Sequence, residues 1–139
     1  MTRRFDSALA AEAAFYEAFQ TGDFALMAAV WSAASDVLCI HPGGTRLGGV
    51  AVLESWREIL ARTGRRMTVT VDERVRYAQG GLSVHNLREH ISLDGELHGV
   101  MLATNVYRQE PDGWKLVLHQ AAPDAAAASR TVPPARELH

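Results

Sequence analysis

The sequence predicts an α+β domain, with helices packed on one face of an antiparallel meander. Two observations carry this. Apolar residues recur at helical spacing in the first half of the chain, and from Met67 onward the period changes to two. Three glycine-bearing separators then cut the second half into four strands. Helices first and strands afterwards is the order of an α+β fold.

The elements follow in order. Ser7 can cap a first helix running to about Gln20, with Leu9, Phe15, Tyr16 and Phe19 on its apolar face. Thr21-Gly22-Asp23 is a stop-and-restart: Gly22 suits a left-handed C-cap and Asp23 caps a short second helix. Phe24, Met27, Ala28 and Trp31 give that helix its buried stripe. Asp36 to His41 reads as one early strand, closed by Pro42-Gly43-Gly44. Gly48-Gly49 opens a third helix, whose apolar face carries Val52, Leu53, Trp56, Ile59 and Leu60 before Gly64 ends it. Four strands follow over Met67–Tyr77, Leu82–Leu93, His98–Arg108 and Trp114–Ala122. Their separators are Gln79-Gly80-Gly81, Asp94-Gly95 and Pro111-Asp112-Gly113, all hairpin signals. Residues 1–123 are expected to form the domain, and 124–139, with no packing pattern, a flexible C-terminal tail.

Composition narrows the function. The 139 residues suit one domain, and a net charge of -2 argues against a nucleic-acid or acidic-membrane binder. No stretch is long and apolar enough for a membrane span, and the N-terminus lacks the apolar core of a signal peptide. Cys39 is the only cysteine, which excludes an intrachain disulfide and fits a cytoplasmic protein. It lies in the run Val37-Leu38-Cys39-Ile40, so a buried, inert thiol is expected.

Several motifs together resemble one family. They are Thr21-Gly22-Asp23-Phe24, Trp31, Asp36-Val37, Cys39-Ile40-His41-Pro42-Gly43-Gly44, and Leu47-x-Gly49 before a helix with Ser55-Trp56. Further on come Ala103-Thr104-Asn105-Val106-Tyr107-Arg108, Asp112-Gly113-Trp114 and His119-Gln120-Ala121-Ala122-Pro123. From Leu9 to Pro123 the chain resembles the SnoaL-like, ketosteroid-isomerase-like superfamily, also called the nuclear-transport-factor-2-like fold. That resemblance implies a curved antiparallel sheet around a cone-shaped pocket. Its members include isomerases, dehydratases, polyketide cyclases, dioxygenase small subunits and non-catalytic association domains, so function rests on the site.

The resemblance puts His41, ahead of Pro42, where isomerases of the family carry their base, and Asn105 where they carry a donor acid. Phe15 stands nearest the family's tyrosine donor, with Tyr16 one residue off. Since both acidic positions are replaced, the steroid-isomerase mechanism does not transfer.

Strand parity supplies a second argument. If Asn105 faces inward, Met101, Ala103 and Tyr107 do too. A three-residue hairpin at Leu93-Asp94-Gly95 pairs Ser92 with Glu96 and turns His85, Leu87, Glu89 and Ile91 inward. A two-residue Asp94-Gly95 turn would instead turn Asn86, Arg88 and His90 inward. The first register is preferred, because it places apolar residues and one carboxylate inside.

The expected catalytic constellation is therefore His41, Glu89 and Asn105. Trp56, Tyr16, Phe15, Met101 and Tyr107 would wall a substrate site, and His119 would join from the last strand. A histidine of pKa about 6.5, a desolvated carboxylate and an amide donor suit proton transfer next to a carbonyl without a cofactor. Each has a structural alternative: His41 bracing its loop, Glu89 paired with His85 or His119, Asn105 holding the Pro42-Gly43-Gly44 turn. No metal site is expected, since His85 and Glu89 lie about 13 Å apart along their strand. A nucleophilic triad is not expected either, for want of a glycine-flanked serine.

Two functions result: a cofactor-independent isomerase, dehydratase or cyclase on a small, mostly apolar carbonyl compound, or a non-catalytic ligand-binding or association module. Either would be a homodimer through an outer sheet face carrying Val100, Leu102, Thr104 and Val106, joined by Leu116 and Leu118 if the last strand keeps its register.

Overall fold

The computed structural model describes residues 3–130. Helix α1 spans Ala8–Thr21 and α2 Phe24–Val30; strands β1 (Leu38–Ile40) and β2 (Arg46–Gly48) precede α3 (Val50–Thr63). A single 3-10 turn at Gly64–Arg66 leads into β3 (Met67–Gln79), β4 (Leu82–Leu93), β5 (Glu96–Glu110) and β6 (Gly113–Pro123), and α4 (Ala125–Arg130) follows. The six strands form one open sheet in the order β2-β1-β6-β5-β4-β3.

Helix α1 holds six alanines, the best helix former, and Ser7 caps it by accepting a hydrogen bond from the Ala10 amide at 3.0 Å. Gly22 closes it at φ 72°, and a Cβ there would lie 3.0 Å from the Gly64 Cα. The C-terminal ends of α1 and α3 therefore abut through two glycines. Phe15, Tyr16, Phe19, Val52, Trp56 and Leu60 are buried where α1 and α3 meet the sheet. Phe15 is the hub, edge-on to Tyr16, Phe19 and Trp56 at ring distances of 4.8, 6.1 and 5.3 Å. Burial of one such ring stabilises by about 2–3 kcal/mol. Leu9, expected on the buried face, is 41% exposed in the first turn.

The sheet corrects the expected architecture in two ways. It is mixed rather than antiparallel, because β1 runs parallel to β6. The cause lies just upstream: Trp31 bridges Leu116 in parallel, and Ser32 donates its amide to the Leu116 carbonyl at 2.9 Å. The chain leaving α2 is already running along β6. There are also two early strands, not one, since Arg46–Gly48 folds back antiparallel onto β1. Three residues ending in glycine carry no readable period.

The β4–β5 register is a further correction. The turn has two residues, with Leu93 opposite Glu96 and both Asp94 (φ 52°) and Gly95 (φ 85°) left-handed, the I′ geometry. By itself that turn would bring Arg88 inward. A bulge restores the parity: Ser92 faces Leu97 and Ile91 faces Gly99, which leaves His98 unopposed. His85, Leu87 and Glu89 are buried as expected, through a turn and a bulge that cancel.

Two more bulges shape the interior. Between Asp72 and Val75 the β3 strand carries Glu73 at φ 51°. Between Val106 and Tyr107, β6 gains Val117 as an extra residue. The latter turns Leu116 into the core, fully buried, so it does not join the outer face. Residues 125–130 of the expected tail form α4, anchored by the buried Asp124, whose amide donates to the Val100 carbonyl at 2.9 Å. Residues 131–139 lie outside the described residues.

Candidate functional site

Four of the expected residues come together as one hydrogen-bonded chain. The Tyr16 hydroxyl donates to Glu89 Oε2 at 2.7 Å, and Asn105 Nδ2 donates to the Tyr16 oxygen at 3.0 Å. His119 Nδ1 lies 2.6 Å from Asn105 Oδ1. An amide oxygen only accepts, so His119 carries its proton on Nδ1. The chain therefore runs one way, from His119 through Asn105 and Tyr16 to the carboxylate of Glu89. Helix α1 supplies one member, β4 one, β5 one and β6 one. Asn105 and His119 are direct cross-strand partners, as are Glu89 and Met101.

All four residues are buried. Burial pushes the Glu89 carboxyl up to about 7, with the Tyr16 hydrogen bond pulling the other way. Burial takes His119 down to about 3, and a proton on His41 would push it the same way, so His119 stays neutral. Burial and then the negative charge of Glu89 hold the Tyr16 hydroxyl well above its ordinary value, so it keeps its proton. Near neutral pH, Glu89 is the member of this chain poised to change protonation state.

His41 stands apart from the chain, across Trp56. The Trp56 ring lies 5.0 Å from His41 and 5.8 Å from His119. His41 Nε2 is 2.9 Å from Ser55 Oγ, whose own proton goes to the Val52 carbonyl at 2.7 Å. His41 must then donate from Nε2, which leaves Nδ1 with a free lone pair. Burial lowers its pKa and keeps it neutral. Cys39 is buried, its thiol pushed up to about 12, chiefly by burial.

The remaining expected wall residues are placed as follows. Phe15 packs on Trp56 and, at 5.0 Å, on His119. Met101 is half-buried and lines a half-open hollow of about 370 Å³ with Leu97, Gly99, Pro123 and Ala127. A second hollow, of about 600 Å³, lies by Tyr77 and Leu82 at the β3–β4 hairpin. Glu89, Asn105 and His41 line neither. Tyr107 belongs to a different cluster.

That cluster went unread in the sequence. Glu12, one helical turn before Tyr16, is buried and is held by Arg74 Nε at 3.0 and 3.1 Å. His85 Nδ1 lies 2.8 Å from Glu12 Oε1, and Ser83 Oγ lies 2.8 Å from His85 Nε2. Burial raises the Glu12 carboxyl, but hydrogen bonds from His85 and Arg74 outweigh it and leave the pKa below its usual value. The Tyr107 ring is 4.8 Å from His85, and its hydroxyl is buried without a hydrogen-bond partner. The available signals were the i, i+4 spacing of Glu12 and Tyr16 and the parity of Ser83 with His85. Among the described residues, no group of three or more His, Cys, Asp or Glu could hold a metal ion, and no helix is long and apolar enough to cross a membrane.

Helices on one face of a bulged, open sheet, with a polar chain buried between them, define a SnoaL-like domain of the nuclear-transport-factor-2-like class. The family model for the SnoaL-like domain matches residues 9–125, and the chain belongs to that family. Among solved structures it is similar to a protein of Thiobacillus denitrificans, provisionally named a calcium/calmodulin-dependent protein kinase type II association domain. Identity is 37%, coverage 88% of this chain and 98% of that one, and the TM-score 0.78. It is also similar to a protein of Streptomyces avermitilis provisionally named a dehydratase of the nuclear transport factor 2-like family, at 34% identity, 82% and 91% coverage and a TM-score of 0.74. A cystatin-like-fold protein of unknown function from Nostoc punctiforme shares the fold, at 16% identity, 86% and 95% coverage and a TM-score of 0.70. No curated protein matches the chain.

Proposed function

We propose that this SnoaL-like protein binds a small, mostly apolar carbonyl compound and transfers protons next to the carbonyl, as an isomerase, dehydratase or cyclase without a cofactor. The observation that carries this reading is the one-way chain from His119 through Asn105 and Tyr16 to Glu89. It ends on a carboxyl near 7, which can accept and return a proton at neutral pH. Glu89 is therefore the acid–base group. His119, near 3, is too weak a base and serves as a positioning residue that fixes the Asn105 amide. Asn105 orients the Tyr16 hydroxyl, and His41 offers its free Nδ1 as a further base across Trp56. The name of the Streptomyces avermitilis relative, at 34% identity, points the same way.

The test is turnover on a panel of ketones and β-hydroxy ketones with wild type, Glu89→Gln, His41→Ala and Asn105→Ala. Loss of turnover in Glu89→Gln with the fold retained supports the reading. Equal rates in all four overturn it.

A second reading, a non-catalytic ligand-binding or association module, is favoured by the name of the Thiobacillus denitrificans relative at 37% identity. Ligand-induced thermal stabilisation with no product would support it. Either way the protein is proposed to be a homodimer. Leu102 is 42% exposed on the outer face of β5, with Val100, Val106 and Leu118 half-buried beside it.

A further inference from the structure

We propose that the half-open hollow beside Met101 is the entrance to the Glu89 site and that Met101 is its gate, admitting a small, mostly apolar ketone, which rests on the reading of Glu89 as the acid–base group. Glu89 is 1% exposed and lines no hollow, so a ligand needs a way in.

Strand pairing sets what surrounds Glu89 on the inner face. Val71 and Met101 stand directly opposite it on the two neighbouring strands, and Leu87 and Ile91 lie two residues away on β4. Tyr16 reaches it from α1. Directly opposed residues have Cβ atoms about 5 Å apart, so Met101 and Glu89 are side-chain neighbours. Met101 is half-buried against the core, and it is the one member of this ring that also lines a hollow. One side chain therefore stands between the carboxyl and open space.

That side chain is suited to move. Methionine is unbranched and turns about three bonds, whereas Val71 and Ile91 are stiff at their first torsion. The Met101 methyl lies along its own strand over Gly99, where an added Cβ would come within 3.1 Å of Met101 Cε. Gly99 lines the same hollow, so the methyl rests at its wall. Swinging it away leaves the backbone pairing of Met101 with Glu89 and Pro123 intact.

The hollow has the size and chemistry for such a ligand. Its volume of about 370 Å³ is that of a small-molecule site, and Leu97, Gly99, Met101, Pro123 and Ala127 give it an apolar wall. Asp124, also at the wall, is already engaged by Arg88 at 2.6 Å and by the Ala126 amide at 3.0 Å. His98 stands exposed in the same wall. An apolar body therefore fits the hollow, and the carboxyl that would meet its carbonyl end lies beyond Met101. The hollow by Tyr77 cannot serve, because its Leu82 and Val84 alternate with the buried Ser83 and His85 and so face outward.

The experiment is carboxyl-carbon NMR of the whole protein labelled at its glutamates, with the buried Glu12 as reference. In wild type, added cyclohexanone should move the Glu89 signal saturably and leave Glu12 still. In Met101→Ala, water reaching Glu89 should lower its titration midpoint from about 7 by about one unit or more, with Glu12 again unchanged. An unmoved Glu89 signal in the ketone titration overturns the proposal. So does a Met101→Ala midpoint that stays at the wild-type value or falls only together with a change at Glu12. The ketone titration needs no substitution, so it decides even where the variant fails to fold. Turnover lost in Glu89→Gln beside an unmoved Glu89 signal rejects the entrance and keeps the function proposed above. A saturable shift beside wild-type turnover in Glu89→Gln keeps the entrance and rejects that function.

Discussion

The Tyr16 hydroxyl reaches across from α1 to donate to Glu89 on β4 at 2.7 Å, joining helix and sheet inside the core. It also accepts from Asn105, so one side chain satisfies two buried groups at once. Tyr16→Phe removes the partner of the Glu89 carboxyl and of the Asn105 amide nitrogen, while Asn105 keeps its bond from His119. The expected cost is roughly 1–3 kcal/mol in denaturant unfolding. The Glu89 carboxyl should also titrate higher than in wild type, since the lost bond favoured its charged form; carboxyl-carbon NMR would read this.

Stability against pH separates Glu89 from His119. Glu89 has a folded pKa raised from 4.5 to about 7, so its contribution is full below 4.5 and is lost as pH rises to about 7. His119 has a folded pKa lowered from 6.5 to about 3, so its contribution is present above 6.5 and is lost as pH falls toward 3. Between 4.5 and 6.5 the two slopes oppose each other, and wild-type stability should be nearly flat there. Glu89→Gln should become more stable with rising pH across that window. His119→Gln should become less stable, by at most about 3 kcal/mol up to pH 7. Urea midpoints at four pH values would show both slopes, and two parallel curves would contradict the assignment.

The His98 bulge sets which face of β4 looks inward. Deleting His98 removes the compensating residue and forces a choice between breaking the I′ turn and burying Arg88. Arg88 is paired with Glu73 and Asp124, so burying it also breaks those ion pairs. The deletion should lower the melting temperature strongly or prevent folding, whereas His98→Ala, exposed in wild type, should change stability by less than about 0.5 kcal/mol. Thermal melts of the pair test this.

Gly113 stands at φ 111°, and a Cβ there would lie 2.8 Å from the Phe5 carbonyl oxygen, the acceptor of the Trp114 amide. Gly113→Ala should cost about 1–3 kcal/mol through backbone strain and displacement of the segment before α1. Equilibrium unfolding together with hydrogen exchange at the Trp114 amide would report both effects.

The outer sheet face yields a prediction about assembly. Leu102→Asp puts a charge in the centre of the proposed dimer contact. Sedimentation should show a dimer for wild type at micromolar concentration and a monomer for the variant. A monomeric wild type would remove the proposal.

Much of this was legible in the sequence because it depends on short-range periodicity. The α1 stripe, the Gly22 stop, the α3 face and the four long strands each repeat a local pattern over many residues. That Asn105 and Glu89 both face inward agrees with the parity argued from the sequence, although the structure reaches it by a two-residue turn and a cancelling bulge at His98 that carries no sequence signature of its own.

The tertiary structure decided the rest, and the reason is contact between residues far apart in the chain. β1 runs parallel to β6 because Trp31 already docks on Leu116, 85 residues on. Tyr16 rather than Phe15 reaches Glu89 because α1 turns that position toward β4, leaving Phe15 against Trp56. Glu12, Arg74, His85 and Ser83 form one cluster only once α1 lies across the β3 bulge. The sequence by itself determined a SnoaL-like α+β domain and many of its inward-facing residues, but not the exposure of Leu9 or the burial of Leu116. Which of those residues bond to one another depended on the angle of one helix over one sheet, which no local pattern encodes.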